Sequence, residues 1–320
     1  QELYKAMPTD KMGLYLGAGI NLPPEGITPR FKTYSWEGLL QALYQKNNNR
    51  FYDSFPVLLK KHHYNWQDIS EELAGNIGSR EMIKQLDEII YSDIPRKDKY
   101  GRLSKRLLNQ APTLHASICF SAKIKERTAT SWTFRRNEKI GAILTTNYDF
   151  FFGAGWTRFQ SFKTHWKVQT PFSQMTPLPN QRPVYYIHGY LPYSSEETKE
   201  IVLTREQYNT FYAESGFTKT TLWNFLNNYH VLFIGTSFTD KPLVDMLTTL
   251  KSEKTVRHYA IVTPELENRI TALGVRPILI ESYAQVENVL ADMYCSALDE
   301  REYSGFRLRT VGEYWGRLRR

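Results

Sequence analysis

Apolar residues along the 320-residue chain fall into two kinds of pattern. The first is a short unbroken run that stops abruptly in glycine or a small polar residue. Lys11–Asn21 (KMGLYLGAGIN), Ala142–Asp149 (AILTTNYD), Val184–Gly189 (VYYIHG) and His230–Asp240 (HVLFIGTSFTD) all have this form. Such runs predict parallel strands buried on both faces, because a strand with one wet face alternates apolar with polar. Strand cores are expected at Gly13–Leu16, Ala142–Thr145, Val184–Ile187, Ile201–Leu203, Val231–Ile234, His258–Val262 and Ile278–Ile280. The second pattern has a helical period. Ser35 reads as an N-cap, with Trp36 and Glu37 opening a helix through Gln45. From there to about Asn137 only helical periods appear, near Arg50–His62, Asn65–Asn76, Arg80–Tyr91, Gly101–Asn109 and Thr113–Thr128. Later helices, near Arg205–Glu214, Lys219–Asn228, Pro242–Leu250, Pro264–Leu273 and Ala284–Leu298, alternate with the strands.

This alternation predicts an α/β fold, a doubly wound (Rossmann-like) parallel sheet. The helical block is too long for a crossover connection, so it is expected to form an inserted all-helical subdomain. The expected division is residues 1–36 and 138–300 for the Rossmann-like domain, 37–137 for the insertion and 301–320 for a basic C-terminal arm. The long polar segment Arg158–Arg182 is expected to be a loop, of the kind that often forms a lid or contact surface. In the arm, Leu308, Val311, Trp315 and Leu318 fall near one helical face, which suits either docking on a partner or folding back on the core.

Composition narrows this picture only modestly. A 41% hydrophobic and 23% charged chain is ordinary for a globular protein. No stretch approaches the ~20 apolar residues of a membrane span, so no membrane role and a cytoplasmic setting are expected. The net charge of +8 suits an anionic ligand. It also fits nucleic acid, and a nucleic-acid-binding subunit is a rival resting on charge alone. Arg96–Arg106 and Lys123–Lys139 read as solvated helix faces without the interleaved aromatics of a single-strand binder, so nucleic acid is expected to be an indirect or weak partner. Two cysteines, Cys119 and Cys295, exclude a four-cysteine zinc site within this chain. His62, His63, His115, His165, His230 and His258 have no metal-ligand spacing, so no metal is expected.

Open α/β sheets bind ligands outside the C-terminal ends of their strands. Four such ends deliver Gly17-Ala18-Gly19, Asn147 with Asp149, His188-Gly189 and Gly235-Thr236-Ser237, which points to one nucleotide site. The Gly-x-Gly turn alone is a weak signal: Leu22 stands where the dinucleotide fingerprint has its third glycine, and Glu37 lies inside a helix. Asp149 suits a cap or a ligand contact equally, and Asp240 reads as the cap of the helix at Pro242.

Taken in order, Gly17-Ala18-Gly19, Thr145-Thr146-Asn147-Tyr148-Asp149, His188-Gly189 and Gly235-Thr236-Ser237 resemble the motifs of the sirtuin superfamily. The resemblance implies NAD as ligand, bound by Gly17, Ala18, Gly19, Asn21, Thr145, Asp149, Gly235, Thr236 and Ser237. It implies His188 as catalytic base and Asn147 as the group that positions water or ribose. The chain departs from the protein-deacylating members in its two cysteines, in Tyr190-Leu191-Pro192 after His-Gly, in Asn21 and in the loosely matching loop around Arg30. Trp36-Glu37-x-Leu39-Leu40 and Leu203-Thr204-x-x-x-Tyr208 look like the zinc-free bacterial branch of NAD-hydrolysing defence domains. The resemblance therefore implies an NAD glycohydrolase (NADase) releasing nicotinamide and ADP-ribose, without metal, the NAD-depleting effector of an anti-phage system. Because unregulated NAD loss would poison its own cell, gating by a homo-oligomer or by a partner such as a defence ATPase is expected. The rivals are an NAD-dependent deacylase or ADP-ribosyltransferase and a non-catalytic sensor of NAD or ADP-ribose.

Overall fold

The computed structural model describes residues 7–22, 35–92, 111–127, 132–156, 162–173, 177–192, 200–251 and 257–296. The Gly101–Asn109 helix, the loop carrying Arg30 and the C-terminal arm lie outside them. At the centre is a seven-stranded sheet whose every neighbouring pair is parallel. Its strands are β1 (Met12–Leu16), β4 (Ile140–Thr145), β5 (Trp166–Gln169), β6 (Arg182–Tyr186), β9 (His230–Ile234), β10 (Tyr259–Val262) and β11 (Arg276–Leu279). They lie in the order β11-β10-β9-β1-β4-β6-β5. The chain thus runs outward from β1 in one direction and then, from β9, in the other. β1 sits at the switch point, where doubly wound sheets leave a crevice.

Both faces of the sheet are covered, as the unbroken apolar runs require. Leu14, Leu16, Ile143, Leu232 and Ile234 point into one core, while Tyr15, Leu144, Val231 and Phe233 point into the other. Helices α9 (Phe217–Asn228), α10 (Lys241–Leu250) and α11 (Pro264–Ala272) supply side chains to the second core. The first core takes α1 (Trp36–Lys46), α2 (Phe55–Lys61), α3 (Trp66–Ile77), α4 (Ser79–Tyr91), α5 (Pro112–Ser121), α6 (Phe151–Trp156), α7 (Phe162–His165) and α12 (Val286–Ser296). Ser35 caps α1, its Oγ accepting the Gly38 N–H at 3.1 Å. Helices α1, α3 and α4 pack on one another, whereas α5 packs against α12 and the short helix Phe151–Trp156.

Three expectations are corrected. The block before Asn137 is not wholly helical: α5 ends at Ser121, and Ala122–Arg127 (β2) and Trp132–Arg136 (β3) pair as an antiparallel ribbon. The Arg158–Arg182 segment is not simply a loop, because β5 within it forms the sheet edge beside β6. Ile201–Leu203 is not a strand of the main sheet. Glu200–Ile201 (β8) instead pairs antiparallel with Gly189–Tyr190 (β7).

Candidate active site

The strand register gathers the four motifs into one row. Leu16 is level with Thr145 on one side and with Ile234 on the other, and Thr145 is level with Tyr186. Each following residue therefore emerges at the same sheet edge. The glycines let two of these tips touch. A Cβ on Gly17 would stand 2.3 Å from the Gly235 carbonyl oxygen. Gly235 itself has φ +67°, and a Cβ there would stand 2.4 Å from the Ile20 nitrogen. The Gly17 N–H donates to the Ile234 carbonyl and the Gly19 N–H to the Gly235 carbonyl, both at 2.9 Å. These amides therefore join the strand tips and are committed within the protein. Ala18 opens the one-turn helix Ala18–Asn21, so its own N–H has no partner within that turn.

Thr145 also serves the framework. Its hydroxyl donates to the Leu16 carbonyl at 2.8 Å and accepts the Asn147 N–H at 3.1 Å. The neighbouring Thr146, not Thr145, lines the cavity. Asn147 is turned toward β1: Nδ2 donates to the Gly17 carbonyl at 3.3 Å, while Oδ1 is buried without a hydrogen-bond partner. On the same strand tip, Asp149 accepts from Asn21 Nδ2 through Oδ2 at 2.6 Å and from the Phe151 N–H through Oδ1 at 3.0 Å. Asp149 thus caps the turn and faces the cavity at once. Burial raises its pKa to about 6 against these hydrogen bonds.

His188 is fixed from every side. The Ile187 carbonyl accepts from Thr218 Oγ1 at 2.8 Å, and the His188 carbonyl accepts the Val202 N–H at 2.7 Å. Gly189 then reverses the chain at φ +73°, where a Cβ would lie 2.1 Å from the Glu200 carbonyl oxygen. The imidazole sits among three phenol rings. Nε2 is 2.8 Å from the Tyr212 hydroxyl and Nδ1 3.4 Å from that of Tyr208. Tyr148 adds a ring contact at 6.3 Å. Burial depresses the imidazole pKa to about 3, with a hydrogen bond to the Thr146 backbone opposing the drop. The ring is neutral throughout the physiological range. Burial likewise pushes the phenols of Tyr148, Tyr208 and Tyr212 upward.

Asn147, Tyr148, Asp149, His188 and Tyr208 line one cavity of about 790 Å³ with the glycine tips, within the roughly 300–1,000 Å³ range of cofactor-sized sites. The sheet edge forms its floor, and His63–Gln67 from the turn and start of α3 form part of the wall. The wall turn is conformationally unusual: His63 and Tyr64 both have positive φ, at 49° and 59°. Among the described residues, four polar atoms of the cavity lining are buried without hydrogen-bond partners: Asn21 Oδ1, Asn147 Oδ1, Thr236 Oγ1 and Asp240 Oδ2. Since buried polar groups are nearly always satisfied in a finished fold, four orphans around one hollow mark where a ligand rich in hydrogen-bond donors belongs. Ribose hydroxyls and a carboxamide N–H₂ are such donors.

The structure therefore brings Gly17, Ala18, Gly19, Asn21, Asn147, Asp149, His188, Gly235, Thr236 and Ser237 to the same cavity. Sequence reasoning missed the phenol cage, although Tyr208 and Tyr212, four residues apart on α8 (Arg205–Phe211) and its C-cap, share a helix face. It also missed the cavity-facing role of Asp240, which stands at the N-cap position of α10 but makes no side-chain capping bond. Among the described residues, no group of three or more His, Cys, Asp or Glu is placed to hold a metal ion. Residues 141–282 match the family model of the SIR2-like domain. β1 precedes that stretch, yet pairs between β4 and β9, both inside it. No curated protein matches the chain.

Proposed function

The chain carries a sirtuin-like domain, and from that premise we propose that it is an NAD glycohydrolase, converting NAD and water to nicotinamide and ADP-ribose. The observation that supports this reading most strongly is the convergence of Asn147, His188 and the Gly17–Gly235 contact on one cavity at the switch point of the sheet. Cleavage of the nicotinamide–ribose bond builds oxocarbenium-like charge on the ribose carbon, as in glycoside hydrolysis. Nicotinamide leaves neutral, so the site needs no acid for the leaving group. It needs groups that grip the ribose and ring and a group that deprotonates the nucleophile. Asn147 Oδ1, unpaired and buried, suits a ribose hydroxyl or the attacking water. The Asn21–Asp149 pair offers acceptors to a carboxamide, and Thr236 and Ser237 offer hydroxyls to the second nucleotide.

Two cysteines in the whole sequence favour hydrolysis over the zinc-dependent deacylase arrangement. The resemblance to the zinc-free branch supports NAD depletion in defence, held in check by self-assembly or by a partner protein. The test is to incubate the purified chain with NAD and no acylated peptide, then to identify the products chromatographically. Nicotinamide and ADP-ribose in equal amounts support the proposal. Turnover only on addition of an acyl-peptide would instead establish the deacylase reading.

A further inference from the structure

Hydrolysis needs a proton acceptor for the attacking water, and the two most obvious candidates are occupied. Both ring nitrogens of His188 face phenol hydroxyls, and an imidazole whose conjugate acid titrates near 3 is a weak base. Asp149 is engaged through both oxygens, by Asn21 and by the Phe151 amide. Asp240 is different. The Leu243 amide faces its carboxyl without closing a capping bond, and Oδ2 is buried with no hydrogen-bond partner among the described residues. It lines the same cavity as Asn147 and His188. Tyr15, Tyr148, Tyr208 and Tyr212 all feel its charge, and the last three are the rings that surround His188. An unpaired carboxylate oxygen beside such a centre lacks only a donor, and a water molecule supplies one.

We infer that Asp240 is the general base of the glycohydrolase, with Oδ2 taking a proton from the attacking water. This rests on the function proposed above. As the water oxygen bonds to the ribose anomeric carbon, the bond from that carbon to the nicotinamide nitrogen breaks, and its electron pair leaves with neutral nicotinamide. The proton held on Asp240 then passes to solvent, so NAD and water give nicotinamide, ADP-ribose and one proton. His188 and its phenols become the polar frame that orients the ribose. Burial raises the Asp240 pKa to about 6, with the Asp245 charge adding to the rise, and a base of that strength is well matched to neutral pH. The facing titratable groups are the four tyrosines and Asp245. The cation beside it in sequence, Lys241, is already paired with Asp245 at 2.5 Å.

The test compares the full wild-type chain with Asp240→Asn, Asp240→Ala and Asp149→Asn, following NAD hydrolysis from pH 5 to 9 and NAD binding by calorimetry. Loss of a general base lowers kcat by about 10²–10⁴-fold. Asp240→Asn is expected to show that loss with NAD affinity changed by no more than a few-fold. The wild-type rate is expected to rise with pH through about 6, a limb that survives in Asp149→Asn but disappears in Asp240→Asn. Added formate is expected to restore part of the rate of Asp240→Ala. Wild-type kcat in Asp240→Asn, or a loss confined to NAD affinity, would overturn the assignment while leaving the glycohydrolase intact. A wild-type chain that binds NAD and never releases nicotinamide would overturn the proposed function itself.

Discussion

The cavity has two flanks, each with a half-buried carboxyl group pushed to about the same pKa, and they are wired differently. On the β4 flank, Asp149 is tied to Asn21 and to its own turn, so its charge helps hold the β1 and β4 tips together. On the β9 flank, Asp240 and Thr236 keep oxygen atoms without partners. Similar pKa values thus coexist with unequal satisfaction of the two carboxyl groups. Desolvation alone says only that a charge is costly there; the missing partner says which carboxyl group awaits one. The satisfied carboxyl is built to position, and the unsatisfied one to react.

The largest effect is expected where the two flanks are joined. Gly235→Ala forces a Cβ into the Ile20 backbone at positive φ, and its destabilisation is expected to be about 3 kcal/mol or more by urea unfolding. Both flanks should be lost together, with NAD binding abolished. Stability unchanged in this variant would mean that the tips are not in close contact.

Next comes a contrast in stability between the flanks. Asp240→Asn removes a desolvated, under-satisfied charge, so it is expected to stabilise the fold by about 1–2 kcal/mol at pH 8 even as it slows turnover. Asp149→Asn places an amide N–H₂ against donors and is expected to destabilise by about 1–2 kcal/mol. Thermal melts of both variants check the signs. The same sign for both would erase the distinction drawn here.

The pH dependence follows from the same groups. A carboxyl whose pKa in the fold (about 6) exceeds its unfolded value near 3.8 binds its proton more tightly in the fold. Its contribution favours the folded state at low pH and is lost as pH rises from about 4 through about 6. Each group accounts for up to roughly 3 kcal/mol of this slope. Denaturant titrations at pH 4.5 and 7.5 are expected to show a shallower slope in Asp240→Asn than in wild type.

The smallest effect is expected at the phenol cage. Tyr212→Phe removes one partner of His188 while keeping the ring, and kcat is expected to fall less than about tenfold, since a neutral hydrogen bond contributes roughly 1 kcal/mol. A far larger loss would make Tyr212 a participant in the chemistry.

Much of this arrangement was legible in the residues. Buried parallel strands announce themselves as apolar runs ending in Gly17, Asn147, His188 and Gly235, because a two-sided core tolerates few polar interruptions. What escaped was structure without that signature. β5 is an edge strand whose middle residues, Lys167 and Val168, are only partly buried, so its pattern is diluted within a polar segment. The β2–β3 ribbon carries alternating charges next to α5, and its local period is too short to separate from a helix end. Asp240 reads as a cap because Asp is favoured at the N-cap position and Pro242 marks the first turn of a helix. Only the three-dimensional placement shows that this carboxyl leaves its helix uncapped and faces the cavity.

The most direct measurement of the central claim is mass spectrometry of the products formed from NAD in H₂¹⁸O by wild type and by Asn147→Ala. The expected result is equimolar nicotinamide and ADP-ribose carrying one ¹⁸O at the anomeric position from wild type, with the rate reduced about 10²-fold or more in the variant. Intact NAD with wild type, or undiminished cleavage by Asn147→Ala, would contradict the account.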